Sequence, residues 1–137
     1  MPASNYMSGG TIRPSRFVNT LTTEDNTVEE ADANEAIIGI AQEGAREPPL
    51  PGVTLVAASD GDNVQVYQDG DECLLELGGT VAAGDYLKSD TDGKGVAIAT
   101  TGATAQEIGA RALGSGASGE KIRVRVVIQT KVYPALA

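Results

Sequence analysis

The stretch Lys121-Ile122-Arg123-Val124-Arg125-Val126 alternates charged and apolar side chains without a break. Only an extended strand puts successive side chains on opposite faces. Such a strand lays Ile122, Val124 and Val126 on a core and holds Lys121, Arg123 and Arg125 in water. It closes a longer run of β signals that begins at Gly84-Asp85-Tyr86-Leu87. That run passes the turn at 89–95, the apolar Val96-Ala97-Ile98-Ala99, the unit Glu107-Ile108-Gly109-Ala110-Arg111-Ala112 and the glycine-rich loop 114–119.

A fainter version of this plan precedes it. Phe17-Val18 stands where Tyr86-Leu87 does, Glu35 to Ala41 where Gln106 to Ala112 does, and Val64-Gln65-Val66 where Ile122-Arg123-Val124 does. The fold expected is mainly β: one compact barrel- or sandwich-like domain over residues 13–130, with at most one short helix. Segments 13–77 and 80–130 are candidate halves of a degenerate duplication. The 137 residues fit one domain, and 17 glycines favour many turns over long helices.

Residues 1–12 are polar and read as a flexible N-terminal arm, ordered only by something outside the subunit. Thr27 followed by Glu30 fits a helix cap with a capping box. No apolar stripe of helical period runs through the acidic stretch to Ala36, so an acidic loop is favoured, with a short helix as the rival. Pro48, Pro49 and Pro51 exclude regular structure between Arg46 and Gly52. Val53–Ala58 and Asn63–Tyr67 read as strands around Ser59-Asp60-Gly61-Asp62. Asp69-Gly70-Asp71 turns into Cys73–Leu77. Past Val126 the alternation fails: either the strand becomes central there or its outer face meets another subunit. The tail, 131–137, is apolar for a free end and reads as a docking segment.

The formal net charge of −9 disfavours nucleic acid as a partner. The charge is segregated: 24–47 holds eight carboxylates and one Arg, 60–76 six carboxylates and no base, and 111–131 five bases and one Glu. Acidic loops meeting a basic strand, within a subunit or between copies, would follow; a solvated mixed surface is the alternative. A single cysteine excludes an intrachain disulfide, no run approaches a membrane span, and no signal peptide is read at the start. These features suit a chain made in a cytoplasm.

The chain has no histidine, which removes Ser-His and Cys-His nucleophile pairs and His-based metal sites. Gly114-Ser115-Gly116-Ala117-Ser118-Gly119 matches G-x-G-x-x-G, but that motif needs a helix behind it and a strand follows, so it reads as a loop. Asp90 to Gly95 has Lys94 where a calcium loop needs an oxygen ligand, and reads as a hairpin turn. Asp60, Asp62, Asp69, Asp71 and Glu72 could gather a hard cation only if their loops converged. Adjacent Glu29 and Glu30 do not establish a glycosidase pair. Cys73 reads as a buried, inert thiol. No catalytic, metal or cofactor site is assigned, and an enzyme is not expected.

The order Gly-Asp-Tyr-Leu-Lys-Ser-Asp-x-Asp-Gly-Lys at 84–94, Ile-Gly-Ala-Arg-Ala at 108–112 and Gly-Glu-Lys-Ile-Arg-Val-Arg-Val at 119–126 resembles the head-decoration (cement) proteins of tailed bacteriophages. Residues 11–41 resemble that family's opening portion. The proline-rich connector and the long acidic stretch depart from its pattern. The resemblance implies a homotrimer on the outer capsid surface of a virion, stapling neighbouring copies of the major capsid protein. A receptor- or glycan-binding β module of a virion is the alternative. Contact residues expected on this reading are Arg13 and Arg16 as charged anchors of the arm, with Phe17, Arg123, Arg125, Tyr133 and Leu136.

Overall fold

The computed structural model describes residues 4–20, 25–32, 37–42, 57–58, 61–98 and 106–131. They form ten strands: β1 Ser4–Ser8, β2 Phe17–Thr20, β3 Thr27–Glu30, β4 Gly39–Ala41, β5 Asn63–Tyr67, β6 Glu72–Glu76, β7 Tyr86–Ser89, β8 Gly95–Ala97, β9 Gln106–Ala112 and β10 Lys121–Lys131. The fold is mainly β, with no helix among the described residues. In β10 the side chains alternate exposed and buried from Lys121 through Val126, as the sequence requires. The lapse after Val126 is a bulge: the register against β9 shifts between Val126 and Gln129, and pairing resumes to Lys131.

Strands β1–β5 close a barrel in the order β1-β3-β2-β4-β5, with β5 pairing back to β1. Strands β6–β10 form a second sheet in the order β6-β10-β9-β7-β8. Taken from β1 the other way round, the barrel reads β1-β5-β4-β2-β3, so the second sheet has the same winding, its two ends joined only by the isolated bridge Leu77↔Gly95. The registers agree pair by pair. Ser4↔Val66 recurs as Cys73↔Val124, and Phe17↔Ile40 as Tyr86↔Arg111. Ile40↔Tyr67 recurs as Arg111↔Arg125, and Thr20↔Val28 as Ser89↔Gly95. Even the lone bridge Ile12↔Ala58 has its counterpart in Val81↔Gly116. Ser15, Asn26 and Gly61, all at positive φ, correspond to Gly84, Gly93 and Gly119, also at positive φ.

Each unit therefore begins with a strand that the boundaries 13–77 and 80–130 misplace. β1 lies before residue 13, and β6 opens the second unit rather than ending the first. The expected arm is corrected in the same way. Residues 4–8 are a barrel strand because β5 pairs with them on one side and β3 on the other, so backbone hydrogen bonds supply what their polar side chains do not. Residues 27–30, expected as loop or helix, are also a strand. Thr27 and Val28 are buried between β1 and β2, and pairing on both edges outweighs the capping signal.

The two units differ at the seam. In the first, Met7 N donates to Asn26 O at 2.9 Å and Gly9 N to Val28 O at 2.8 Å, which closes the barrel. In the second, Gly78 N still donates to Gly95 O at 2.9 Å, the counterpart of the Gly9 bond. The counterpart of the Met7 bond is missing, because residues 15–17 of the first unit lie between the two edges. Glu76 N donates to Ser15 O at 2.9 Å, and Phe17 N donates to Gly93 O at 2.8 Å. Below the Leu77–Gly95 bridge the first unit is a wedge that parts the two edges and takes one hydrogen bond at each.

The cores follow from this arrangement. Ile12, Val18, Val28, Ala41, Val64 and Val66 fill the closed barrel. Cys73, Leu75, Leu77, Leu87, Val124 and Val126 fill the second unit together with Phe17, Ile37 and Ile40 from the outside of the first. Burying a side chain of this size contributes about 1.5–3 kcal/mol, so the shared cluster ties the two units into one body. Close approach at this contact requires Gly109: a Cβ there would lie 2.6 Å from Phe17 Cε1 and 2.8 Å from Ile37 Cδ1.

Candidate functional site

Two charged regions stand out, one buried at the seam and one exposed on the second sheet. At the seam, the Arg16 side chain is 6% exposed and reaches across the units. Its Nη1 donates to Asp92 O at 2.9 Å and its Nη2 to Glu76 Oε2 at 3.3 Å, with Lys94 Nζ 3.8 Å from the same oxygen. Arg16 Nε and Ser15 Oγ, both buried, find no hydrogen-bond partner. Arg13 is held nearby: its backbone N and Nε donate to Glu30 Oε2 at 2.7 and 3.0 Å, and Nη2 to Glu30 Oε1 at 2.8 Å. The hydrogen bond to Glu30 raises the Arg13 pKa above its ordinary value. Glu30, whose spacing from Thr27 also fits a capping box, is instead the fork that receives this guanidinium.

Three of the expected contact residues are placed by these bonds. Phe17 is fully buried and serves the core between the units. Arg16 is buried in the seam, and Arg13 is fixed on Glu30 by three bonds, so neither is a free anchor on an arm. Tyr133 and Leu136, and the tail at 132–137, lie outside the described residues.

Arg123 and Arg125 stand on the exposed face of β10 as expected. Arg125 Nη2 lies 2.8 Å from Glu72 Oε2, and Arg123 Nη1 lies 3.8 Å from Glu72 Oε1. Here the segregated charges of 60–76 and 111–131 meet within one subunit. In register, the face continues across the sheet as the row Glu72, Arg125, Arg111, Tyr86. The Arg111 guanidinium sits over the Tyr86 ring, 5.4 Å from its centroid. Arg111 and Tyr86 were not among the expected contact residues. The signal that finds them is the repeat itself, since they occupy the register positions of Ile40 and Phe17.

The hydrogen bond from Arg125, then the charges of Arg125 and Arg123, hold the Glu72 carboxyl below its ordinary pKa. A carboxylate depressed in the folded state adds stability above its unfolded pKa, and that contribution is lost as pH falls through the folded value. The Glu72 resonance followed by NMR should therefore titrate below the ordinary glutamate range, and Arg125→Ala should return it upward. A titration unmoved by Arg125→Ala would show that the crossing does not persist in solution. The pair is exposed, and no stability is assigned to it.

The remaining motifs are turns. Asp90 Oδ1 accepts from Asp92 N and Lys94 N at 2.8 and 2.9 Å and builds the β7–β8 hairpin. Residues 114–119 connect β9 to β10, and Gly116 bridges to Val81 in that loop. Asp71 Oδ2 accepts from Gln68 N in the turn before β6. Among the described residues, no three His, Cys, Asp or Glu side chains gather as a metal site; Asp60 lies outside them. Cys73 is buried, 2% exposed.

The geometry defines a class first: a two-unit β protein with a covered seam and a basic sheet face. No protein-family model matches the sequence, and no curated protein matches it either. Among solved structures, the chain is similar to the head fiber gp8.5 N base of bacteriophage phi29. The likeness has a TM-score of 0.53 at 16% identity and covers 90% of this chain and 92% of the other. At that identity it concerns the fold.

Proposed function

We propose that this chain is a structural protein of a phage head, binding the outer capsid surface as a homotrimer and cementing neighbouring copies of the major capsid protein. One observation carries the reading: nearly the whole chain shares its fold with the base of a phage head fiber. The sequence resemblance at 84–94, 108–112 and 119–126 to head-decoration proteins points to the same setting by a separate route. A clip works by engaging two or more shell subunits at once, so weak single contacts multiply into tight attachment. Residues 4–8 pair within the barrel, so the attachment proposed runs through exposed faces of the folded units rather than through a free arm.

Purified protein mixed with undecorated capsids is expected to sediment with them at a fixed, saturable ratio and to raise the temperature at which the shells open. Protein that stays in the supernatant at all ratios would overturn the reading. Saturable binding with unchanged shell stability would remove the cement role and leave attachment alone.

A further inference from the structure

We propose that the outer face of the second sheet, centred on Arg111, Leu113 and Arg123, docks on a carboxylate-rich patch of the shell protein. The proposal rests on the capsid-binding reading above and names the surface used. It starts from where the bases stand. Among the described side chains the exposed bases are Arg111, Lys121, Arg123 and Arg125, and all four lie on the outer face of the neighbouring strands β9 and β10. Arg13, Arg16, Lys88 and Lys94 are instead engaged inside the chain, by Glu30, by Glu76 and Asp92 O, by Gln106 and by Glu76 in turn. On a chain of net charge −9 the outer face is a basic island.

The island breaks a rule of sheet packing. Arg111 and Arg125 stand directly opposite in register, which sets their Cβ atoms about 4.5–5.5 Å apart, and like charges so placed destabilise a sheet. Glu72 answers Arg125 and Arg123, but among the described residues no carboxylate lies within ion-pair distance of Arg111 or Lys121. Arg111 sits over the Tyr86 ring and donates from Nε to Gly84 O at 3.3 Å; Glu76, opposite Lys121, is engaged by Arg16. An arginine set against another arginine, with only neutral contacts of its own, is a local conflict of the kind that collects at functional surfaces.

The face also has an apolar centre. Leu113 N donates to Arg123 O at 3.0 Å, so Leu113, 45% exposed, lies beside Arg123 at the end of β9. Half-buried Leu74 stands opposite Arg123 on the other side. Arginine and tyrosine around an exposed apolar side chain are the composition of a protein-binding patch rather than of a solvated charge cluster. The same face of the first unit, Phe17–Ile40–Tyr67, is already covered by the second unit, so the fold docks through this face once within the chain. Charge selects the occupant: guanidinium forks take carboxylates in pairs, which fits a surface rich in Asp and Glu. A second copy is disfavoured, because it brings net −9 against net −9.

Sedimentation of the full chain with undecorated capsids over a range of salt is the test. Wild-type binding should weaken as salt rises. Arg111→Glu with Arg123→Glu keeps the Arg125–Glu72 bond and should weaken binding about a hundredfold or more at low salt, since like charges then face each other across the contact. Arg111→Gln with Arg123→Gln is the milder variant, expected to lose about tenfold, and Leu113→Ser should also lose about tenfold. Met7→Ser, an equally exposed apolar change on the first unit, should bind as the wild type does. Thermal melts confirm folding, and light scattering reads the oligomer mass of each variant. Wild-type affinity in the arginine variants, or a Met7→Ser loss equal to that of Leu113→Ser, overturns the proposal and leaves capsid attachment standing. Loss with the arginines but none with Leu113→Ser makes the face a general polyanion site and overturns the protein partner. An oligomer mass that falls together with binding assigns the face to contacts between copies and overturns the shell as occupant. A wild type that stays in the supernatant overturns the capsid reading itself, and this proposal with it.

Discussion

Phe17→Ala is expected to cost about 3–5 kcal/mol, the range for emptying a phenylalanine site in a packed core. The ring is fully buried, and it stands between the two units: its backbone N donates across the seam to Gly93 O, and its ring covers Gly109 of β9. A cavity at that point is lined by both units, so neither can close it alone. Against a total stability of about 5–15 kcal/mol for a domain, the loss is a large share. Denaturant unfolding would measure it. A change below about 1 kcal/mol would show that the units do not depend on this contact and that Phe17 had been misplaced in the core.

The second large effect is asymmetric. Glu76→Ala leaves the Arg16 guanidinium in the seam without its carboxylate, and removing one partner of a buried pair costs about 3–5 kcal/mol. The lower end applies here, because Glu76 is 21% exposed at the rim and water reaches it. Arg16→Met removes the charge instead and keeps the bulk. It should cost far less, since the arginine already leaves Nε without a partner and its desolvation is no longer needed. Thermal melts of both variants at neutral pH decide the matter. Equal losses, or a larger loss for Arg16→Met, would mean that the ion pair itself, rather than the isolated charge, dominates.

The legible parts of this chain were those where side-chain period alone dictates the answer. Residues 121–126 alternate strictly, 63–67 do so nearly as well, and Asp90 to Gly95 carries the residues a hairpin turn needs; all three stand in the structure as read. β1 and β3 were not legible, because their stability comes from backbone partners distant in sequence. Ser-Asn-Tyr-Met-Ser has no apolar face to announce, and Thr-Val-Glu-Glu looks as much like a helix start as a strand.

The sequence does carry one signal for them: Gly9-Gly10-Thr11 recurs as Gly78-Gly79-Thr80, directly after β1 and one residue beyond β6, and aligns the strands in front of it. Of the contact residues, Arg123 and Arg125 could be placed on a wet face from period alone. Arg16 and Phe17 could not, since what buries them is a seam made by residues about sixty to ninety positions away, and Arg13 could not, since it is held by Glu30 of β3, a strand the sequence did not announce.

Cys73, the chain's single thiol, lies in β6, the strand whose edge meets the wedge, and is paired through β10 at Val124. A thiol reagent reaches it only when that part of the second sheet opens. Its labelling rate in native buffer is therefore a clock on one local opening event, distinct from fraying of the chain ends, and it reads that event through one atom that nature has already put in place.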